Sequence, residues 1–208
     1  MKLRRIVAAS LLLLAAAGTA SADPGALDQG VFLVATDKIR EGNFNRTVVL
    51  LLTYGVGGAV GVIVNRPSSL PLARLLPDAD LPSNTDVKVW QGGPVDPGRM
   101  LYLVRSEEDL KGAARVFGEI HMSHDMKLLD KVLRKKKFRG RYRILAGYAG
   151  WAPGQLEGEI RRGGWMVVPA SAADVFTENP LGLWDRFGPE RGVYRKTGLE
   201  PSPLRRYS

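Results

Sequence analysis

The chain has 208 residues, with 30 lysines and arginines against 21 acids and no cysteine. A formal net charge of +9 favours anionic neighbours but does not by itself mean nucleic acid. The absence of cysteine excludes disulfides, zinc–thiolate sites and thiol chemistry, so packing alone must hold the fold.

Lys2, Arg4 and Arg5 precede an uncharged apolar run from Ile6 to Ala17, and Ala20-Ser21-Ala22 follows with the small-x-small pattern of a cleavage site. This is the order of a secretory signal peptide, residues 1–22, cleaved after Ala22. It predicts a periplasmic protein that begins at Asp23. The alternative is an N-terminal membrane anchor, although the apolar run falls short of the roughly 20 residues that span a bilayer. No cysteine flanks the site, which excludes a lipoprotein. One domain is expected over 23–190, with a loose basic tail over 191–208 and no linker or internal repeat.

Val31–Ala35 is continuously apolar, as a strand covered on both faces would be. Thr47 to Thr53 is the strongest strand signal, β-branched and apolar throughout. Tyr54 to Gly58 punctuates it with glycine and Gly61 to Val64 follows, which reads as a hairpin. Asn65-Arg66-Pro67 ends the second strand, since proline cannot donate to a ladder. Leu70 to Pro82 is compatible with a short helix or an irregular crossing. Val87 to Trp90 alternates like a strand and runs into Gln91-Gly92-Gly93-Pro94, with a further strand over Met100 to Val104. Ser123 is read as the cap of a helix with apolar positions Met126, Leu129, Val132 and Leu133 and a basic last turn. Tyr142 to Tyr148 is a strand that leads into a Gly/Pro-dense turn, Gly150-Trp151-Ala152-Pro153-Gly154, with Trp151 inside it. Gly164 to Pro169 is a strand, Ser171 caps a short helix, and Pro180 opens a last helical turn around Trp184. Strands grouped first and helices late favour an α+β fold: a single compact domain with a large, mainly antiparallel β-sheet and flanking helices.

Four blocks carry a family resemblance: Gly30 to Thr36 with Phe44 to Leu51; Gly58 to Pro67; Gln91-Gly92-Gly93-Pro94-Val95; and Gly147 to Ile160, continuing to Trp165. In order and spacing they resemble the YqgE/AlgH family, whose members have no settled biochemical activity. The resemblance implies the same compact α+β domain. Members usually carry a histidine where this chain has Tyr54, and often Leu-His where it has Val104-Arg105, so no role for those histidines carries over. Familiar members also look cytoplasmic, which makes the signal peptide unusual.

The chemistry-bearing clusters mostly have plain readings. Gly55 to Gly61 lacks the spacing of a phosphate loop and leads into a strand, leaving no helix dipole for phosphate. Ser123-His124-Asp125 holds triad residue types, but neighbours in sequence point apart. His121 and His124 are the only histidines, and a two-histidine metal site would need carboxylates from elsewhere. No cofactor or metal is implied. Glu157 and Glu159 would project from opposite sides of a helix, with Glu157 facing Arg161. Gln155 can satisfy turn carbonyls or meet a ligand. The basic run from Lys131 to Arg143 is read as a solvated face, with an anionic membrane surface as its functional alternative. It lacks the interleaved aromatics that nucleic-acid binding needs.

The function expected is a non-enzymatic domain that binds an anionic small molecule or a protein partner. Its candidate surface comprises Asn65, Arg66, Gly92, Gly93, Gly150, Trp151 and Gln155, where turn amides and the Arg66 fork would hold a carboxylate or phosphate. Arg66 has an internal alternative, a pair with Asp96. A hydrolase using the same turns as an oxyanion site is the rival, without a nucleophile–base pair to support it. A transcriptional regulator, as proposed within the family, is weaker again because export argues against it.

Overall fold

A computed structural model describes residues 27–40, 42–80, 82 and 87–188. Residues 1–22, expected to form a signal peptide, and the expected tail 191–208 lie outside the described residues. The strands are β1 (Val31–Ala35), β2 (Val48–Gly55), β3 (Gly58–Ile63), β4 (Pro67–Pro71), β5 (Lys88–Gln91), β6 (Val95–Arg105), β7 (Ala114–Phe117), β8 (Ile120–Ser123), β9 (Tyr142–Trp151) and β10 (Trp165–Pro169). The helices are α1 (Leu72–Leu75), α2 (Met126–Arg134), α3 (Gln155–Arg161), α4 (Ala172–Val175) and α5 (Leu183–Phe187). The strands form one sheet in the order β10-β1-β2-β3-β9-β6-β8-β7, with β4 paired to β5 and β5 to β9. Every pairing is antiparallel except β5 on β9. The sheet curls until β7 meets the chain entering β1, where Gln29 Nε2 donates to Val116 O at 3.2 Å. The fold is α+β, as expected.

The continuous apolar runs arise because both faces of the sheet are covered. Phe32, Val34, Val48, Leu50, Val62, Leu103 and Leu145 point to one face, under Val175 of α4 and Leu183 and Trp184 of α5. Their sequence neighbours Leu33, Ala35, Val49, Leu51 and Ile63 point to the other, under Leu156 of α3. Further along that second face, Val89, Tyr102, Val104 and Ile144 pack beneath Leu128, Leu129 and Val132 of α2. Strand residues alternate faces, so a strand buried on both sides shows no polar alternation in sequence.

β9 is the strand around which the others are placed. At Ile144 it pairs with Val89 of β5 and also with Tyr102 of β6, so those strands lie on its opposite edges. Beyond β5, β3 takes over the same edge, with Gly61 opposite Ala149. The link Gly92-Gly93-Pro94 therefore crosses β9 from one edge to the other. It does so at Gly147 and Tyr148 with backbone laid against backbone. A Cβ on Gly92 would sit 2.3 Å from Gly147 O, on Gly93 2.2 Å from the Tyr148 carbonyl carbon, and on Gly147 2.4 Å from Gly93 O. Within the crossing, Gly92 N–H donates to Ala146 O and Gly92 O accepts from Ile63 N–H, both at 2.8 Å.

Several local expectations change. Trp151 is the last residue of β9, not part of the turn, because Ala59 of β3 continues the ladder that far. The second strand ends at Ile63, and Pro67 instead opens the edge strand β4. Asp125 caps α2, its side chain accepting from Lys127 N–H at 2.8 Å, while Ser123 closes β8 and donates to Gly112 O. Met126, expected on the buried face of α2, is exposed. The hairpin of β7 and β8 was not anticipated at all, because the exposed Ala114 and Arg115 leave β7 without an apolar alternation.

Gly147 and Gly154 both have left-handed φ values, 73° and 76°, but nothing lies within 4 Å of a Cβ placed on Gly154. Gly154→Ala should therefore cost only the conformational penalty, about 1–2 kcal/mol. Gly147→Ala adds the collision with Gly93 and should lose several times more. Chemical denaturation of the two variants side by side measures the difference, and equal costs would mean the crossing yields easily.

Candidate functional site

The Asn65-Arg66 corner clasps the loop that enters β2. Asn65 is 4% exposed; its Oδ1 accepts from Val48 N–H at 2.8 Å and its Nδ2 donates to Arg46 O at 2.9 Å. The Arg66 guanidinium donates to Asn43 O at 2.5 Å and to Asn45 O at 2.9 Å, and burial pushes its pKa below the usual arginine range. Its internal partners are thus backbone carbonyls in place of Asp96. Arg46, between these carbonyls, has φ 53°, a left-handed value uncommon for a residue with a side chain. The two sequence blocks Phe44-Asn45-Arg46-Thr47 and Asn65-Arg66-Pro67 are therefore two halves of one contact.

The Trp151–Glu159 segment is a second internal unit. Glu159 Oε2 accepts from Trp151 Nε1 at 2.9 Å and from Trp165 Nε1 at 2.7 Å, and its Oε1 accepts from Gln155 Nε2 at 3.0 Å. Gln155 Oε1 in turn accepts from Ala152 N–H at 3.1 Å, which closes the turn. Phe44 stacks on Trp151 with centroids 6.2 Å apart and meets Trp165 edge-on at 5.5 Å. Buried indoles need a partner for their N–H, and one carboxylate serves both. Glu157 faces away from Glu159, as its spacing implied, but accepts from Tyr54 Oη at 2.7 Å, not from Arg161. The phenol of Tyr54 thereby ties the β2–β3 hairpin to α3.

Of the seven candidate residues, Asn65, Arg66 and Gln155 spend their polar groups inside the fold, and Gly92 and Gly93 form the crossing. Gly150 and Trp151 line an open groove of about 620 Å³ at the end of the sheet. Its other walls are Thr53, Tyr54 and Gly57 of the hairpin, Val60, Val95 and Tyr148. Tyrosine phenols are the only ionisable groups in this lining. Beside the groove, β6 reaches β9 only as far as the Val95–Tyr148 pair, so Ala149 to Trp151 have no strand on that edge among the described residues. Val56 at the hairpin tip is fully exposed. A smaller pocket of about 450 Å³ lies against β4, with Ser68, Ser69 and Arg74 among its lining. Among the described residues no group of histidines and acids could hold a metal ion. The groove was not legible in sequence, because strands distant in the chain build it.

Comparison with known proteins comes out consistently. A family model described as AlgH-like matches residues 32–194. The chain is 35% identical over 160 residues to the UPF0301 protein MCA0413 1 of Methylococcus capsulatus, covering 75% of this chain and 87% of that protein. It is 40% identical over 162 residues to the UPF0301 protein SCO2948 of Streptomyces coelicolor, covering 74% and 82%. The solution structure of the AlgH protein from Pseudomonas aeruginosa superposes with a TM-score of 0.66 at 30% identity, over 84% of this chain and 95% of that one. The crystal structure of DIP2367 from Corynebacterium diphtheriae shares the fold, with a TM-score of 0.64 at 22% identity over 79% and 87%. These names state no activity.

The clasp predicts how Arg66→Lys behaves. A lysine keeps the charge but cannot span two carbonyls as a fork. Losing one such bond should lower stability by about 1 kcal/mol with no ligand present. A thermal melt of the variant measures this, and an unchanged midpoint would return Arg66 to the set of ligand-facing groups.

Proposed function

This chain belongs to the AlgH-like family, and from that premise we propose that it is a non-enzymatic binding domain, exported to the periplasm, that holds an extended apolar segment of a partner protein. The observation that carries this reading is the groove at the end of the sheet. It offers Tyr148, Val60, Val95 and the Trp151 edge, a glycine backbone at Gly57 and Gly150, and no fixed cation. Such a lining favours apolar side chains over an anion. The unpaired edge of β9 beside it gives an incoming chain backbone groups to pair with, as in strand addition. An anionic small molecule would instead favour the β4 pocket, where Arg74 supplies a charge.

Gly150 is exposed, and a Cβ placed there meets Tyr148 Cε2 at 3.5 Å, an ordinary contact. Gly150→Lys should leave the melting temperature near that of the parent while placing a charge in the groove. Titration of the labelled protein with short apolar peptides should shift the amides of Gly57 and Gly150, and Gly150→Lys should abolish the shifts. Shifts confined to the β4 pocket on adding phosphate or citrate, with none from peptides, would replace the partner with an anion.

Export is tested separately. N-terminal sequencing of protein from the periplasmic fraction should begin at Asp23. Met1 intact on cytoplasmic protein would remove the localisation and leave the groove untouched.

A further inference from the structure

The basic run of the sequence divides in the fold into half-buried, paired and open charges. Arg143 is half-buried: it lies over the Trp90 ring at 3.9 Å, donates to Val175 O at 3.2 Å and Thr177 O at 2.6 Å, and desolvation lowers its pKa to about 10. Arg134 is neutralised by Asp130 at 2.7 Å and Asp80 at 2.9 Å, and Lys137 by Glu108 at 3.2 Å. Lys127, Lys131, Lys135, Lys136 and Arg139 remain exposed with no carboxylate in ion-pair contact among the described residues.

Their placement is ordered. Lys127 and Lys131 lie one turn apart on the outside of α2, away from the buried Leu128, Leu129 and Val132, and Lys135 follows at the helix C-cap. Lys136 and Arg139 continue that surface through the 3-10 turn at Lys136–Phe138, whose Phe138 points inward at 2% exposure. The result is a cationic strip of four ammonium groups and one guanidinium, with no exposed aromatic ring in it among the described residues.

We propose that the outer face of α2 and the turn after it dock on an anionic phospholipid surface. Lysine is a point charge on a flexible stem and suits the diffuse charge of a bilayer. Single-stranded nucleic acid is held by aromatic stacking as well as charge, and of the two rings in the run Phe138 is buried and Tyr142 half-buried. Each lysine near an anionic surface strengthens binding by about five-fold.

The test is cosedimentation of the full chain with vesicles of phosphatidylcholine alone and with about one-third phosphatidylglycerol. The combined change Lys131→Gln, Lys135→Gln and Lys136→Gln should lower the preference for anionic vesicles about a hundred-fold. The same three positions changed to arginine should bind like the parent, and all variants should melt alike because these side chains make no internal bonds. A matched set elsewhere, Lys88→Gln, Arg99→Gln and Arg161→Gln, should bind like the parent. Lys2, Arg4 and Arg5 are the same in every variant, so a difference between the two sets comes from the substituted positions. An equal loss from the matched set would overturn the proposal, as would no loss from the strip. Tighter binding to a short DNA duplex than to anionic vesicles at the same salt would overturn it in favour of a nucleic acid.

Discussion

The passage of Gly92 and Gly93 across β9 is the constraint on which the arrangement of the sheet depends. Two backbones approach so closely that none of Gly92, Gly93 or Gly147 has room for a Cβ. Because the link crosses there, β5 and β3 can share one edge of β9 while β6 occupies the other. The same crossing limits how far β6 reaches, since the chain has already turned toward β5 beyond Val95. The unpaired end of β9 and the groove beside it therefore follow from a packing solution made entirely of glycine. Glycine here serves close approach more than flexibility.

The side chains that make the family blocks recognisable serve the same end. Asn65 and Arg66 bond to Arg46 O, Asn43 O, Asn45 O and the buried Val48 N–H, and so fix the loop where it turns into a buried strand. Glu159 satisfies two indoles, and Gln155 closes the turn between them. Where this chain has Tyr54 in place of the usual histidine, its phenol bonds to Glu157 and holds the hairpin to α3. A signature of this kind identifies a fold because its polar groups bond to other parts of the same chain. It therefore says little about chemistry, and the surface that can meet a partner must be sought where the signature ends.

Legibility in the sequence followed from the same physics. The doubly buried strands β1 and β2 were plain, because both faces demand apolar side chains. The α+β class followed from their grouping. Boundaries were harder: Trp151 looked like part of a turn because the glycines and proline around it suggest one, yet β3 draws it into the ladder. The short hairpin of β7 and β8 left no periodicity to read, and its exposed Ala114 and Arg115 look like loop residues. At the candidate site, residue types alone left Arg66 between a ligand and Asp96. Neither alternative included the backbone carbonyls it meets, and carbonyl positions are not encoded in side-chain type.

The basic run makes the same point through electrostatics. In sequence, Lys131 to Arg143 is a single block of charge. In the fold, Arg143 is half-buried against Trp90 and Phe176, its guanidinium capping carbonyls at the end of α4. Arg134 and Lys137 are bound to acids from Asp80 and Glu108, far away in the chain. What stays available is set by helical geometry, since α2 must turn Leu128, Leu129 and Val132 inward and so turns its lysines out. The charge open to a partner is thus smaller than composition suggests and more ordered. It lies over the core formed with α2, whereas the groove borders the core formed with α3, further along the same face of the sheet. The lysines of the strip and the residues that line the groove have no member in common.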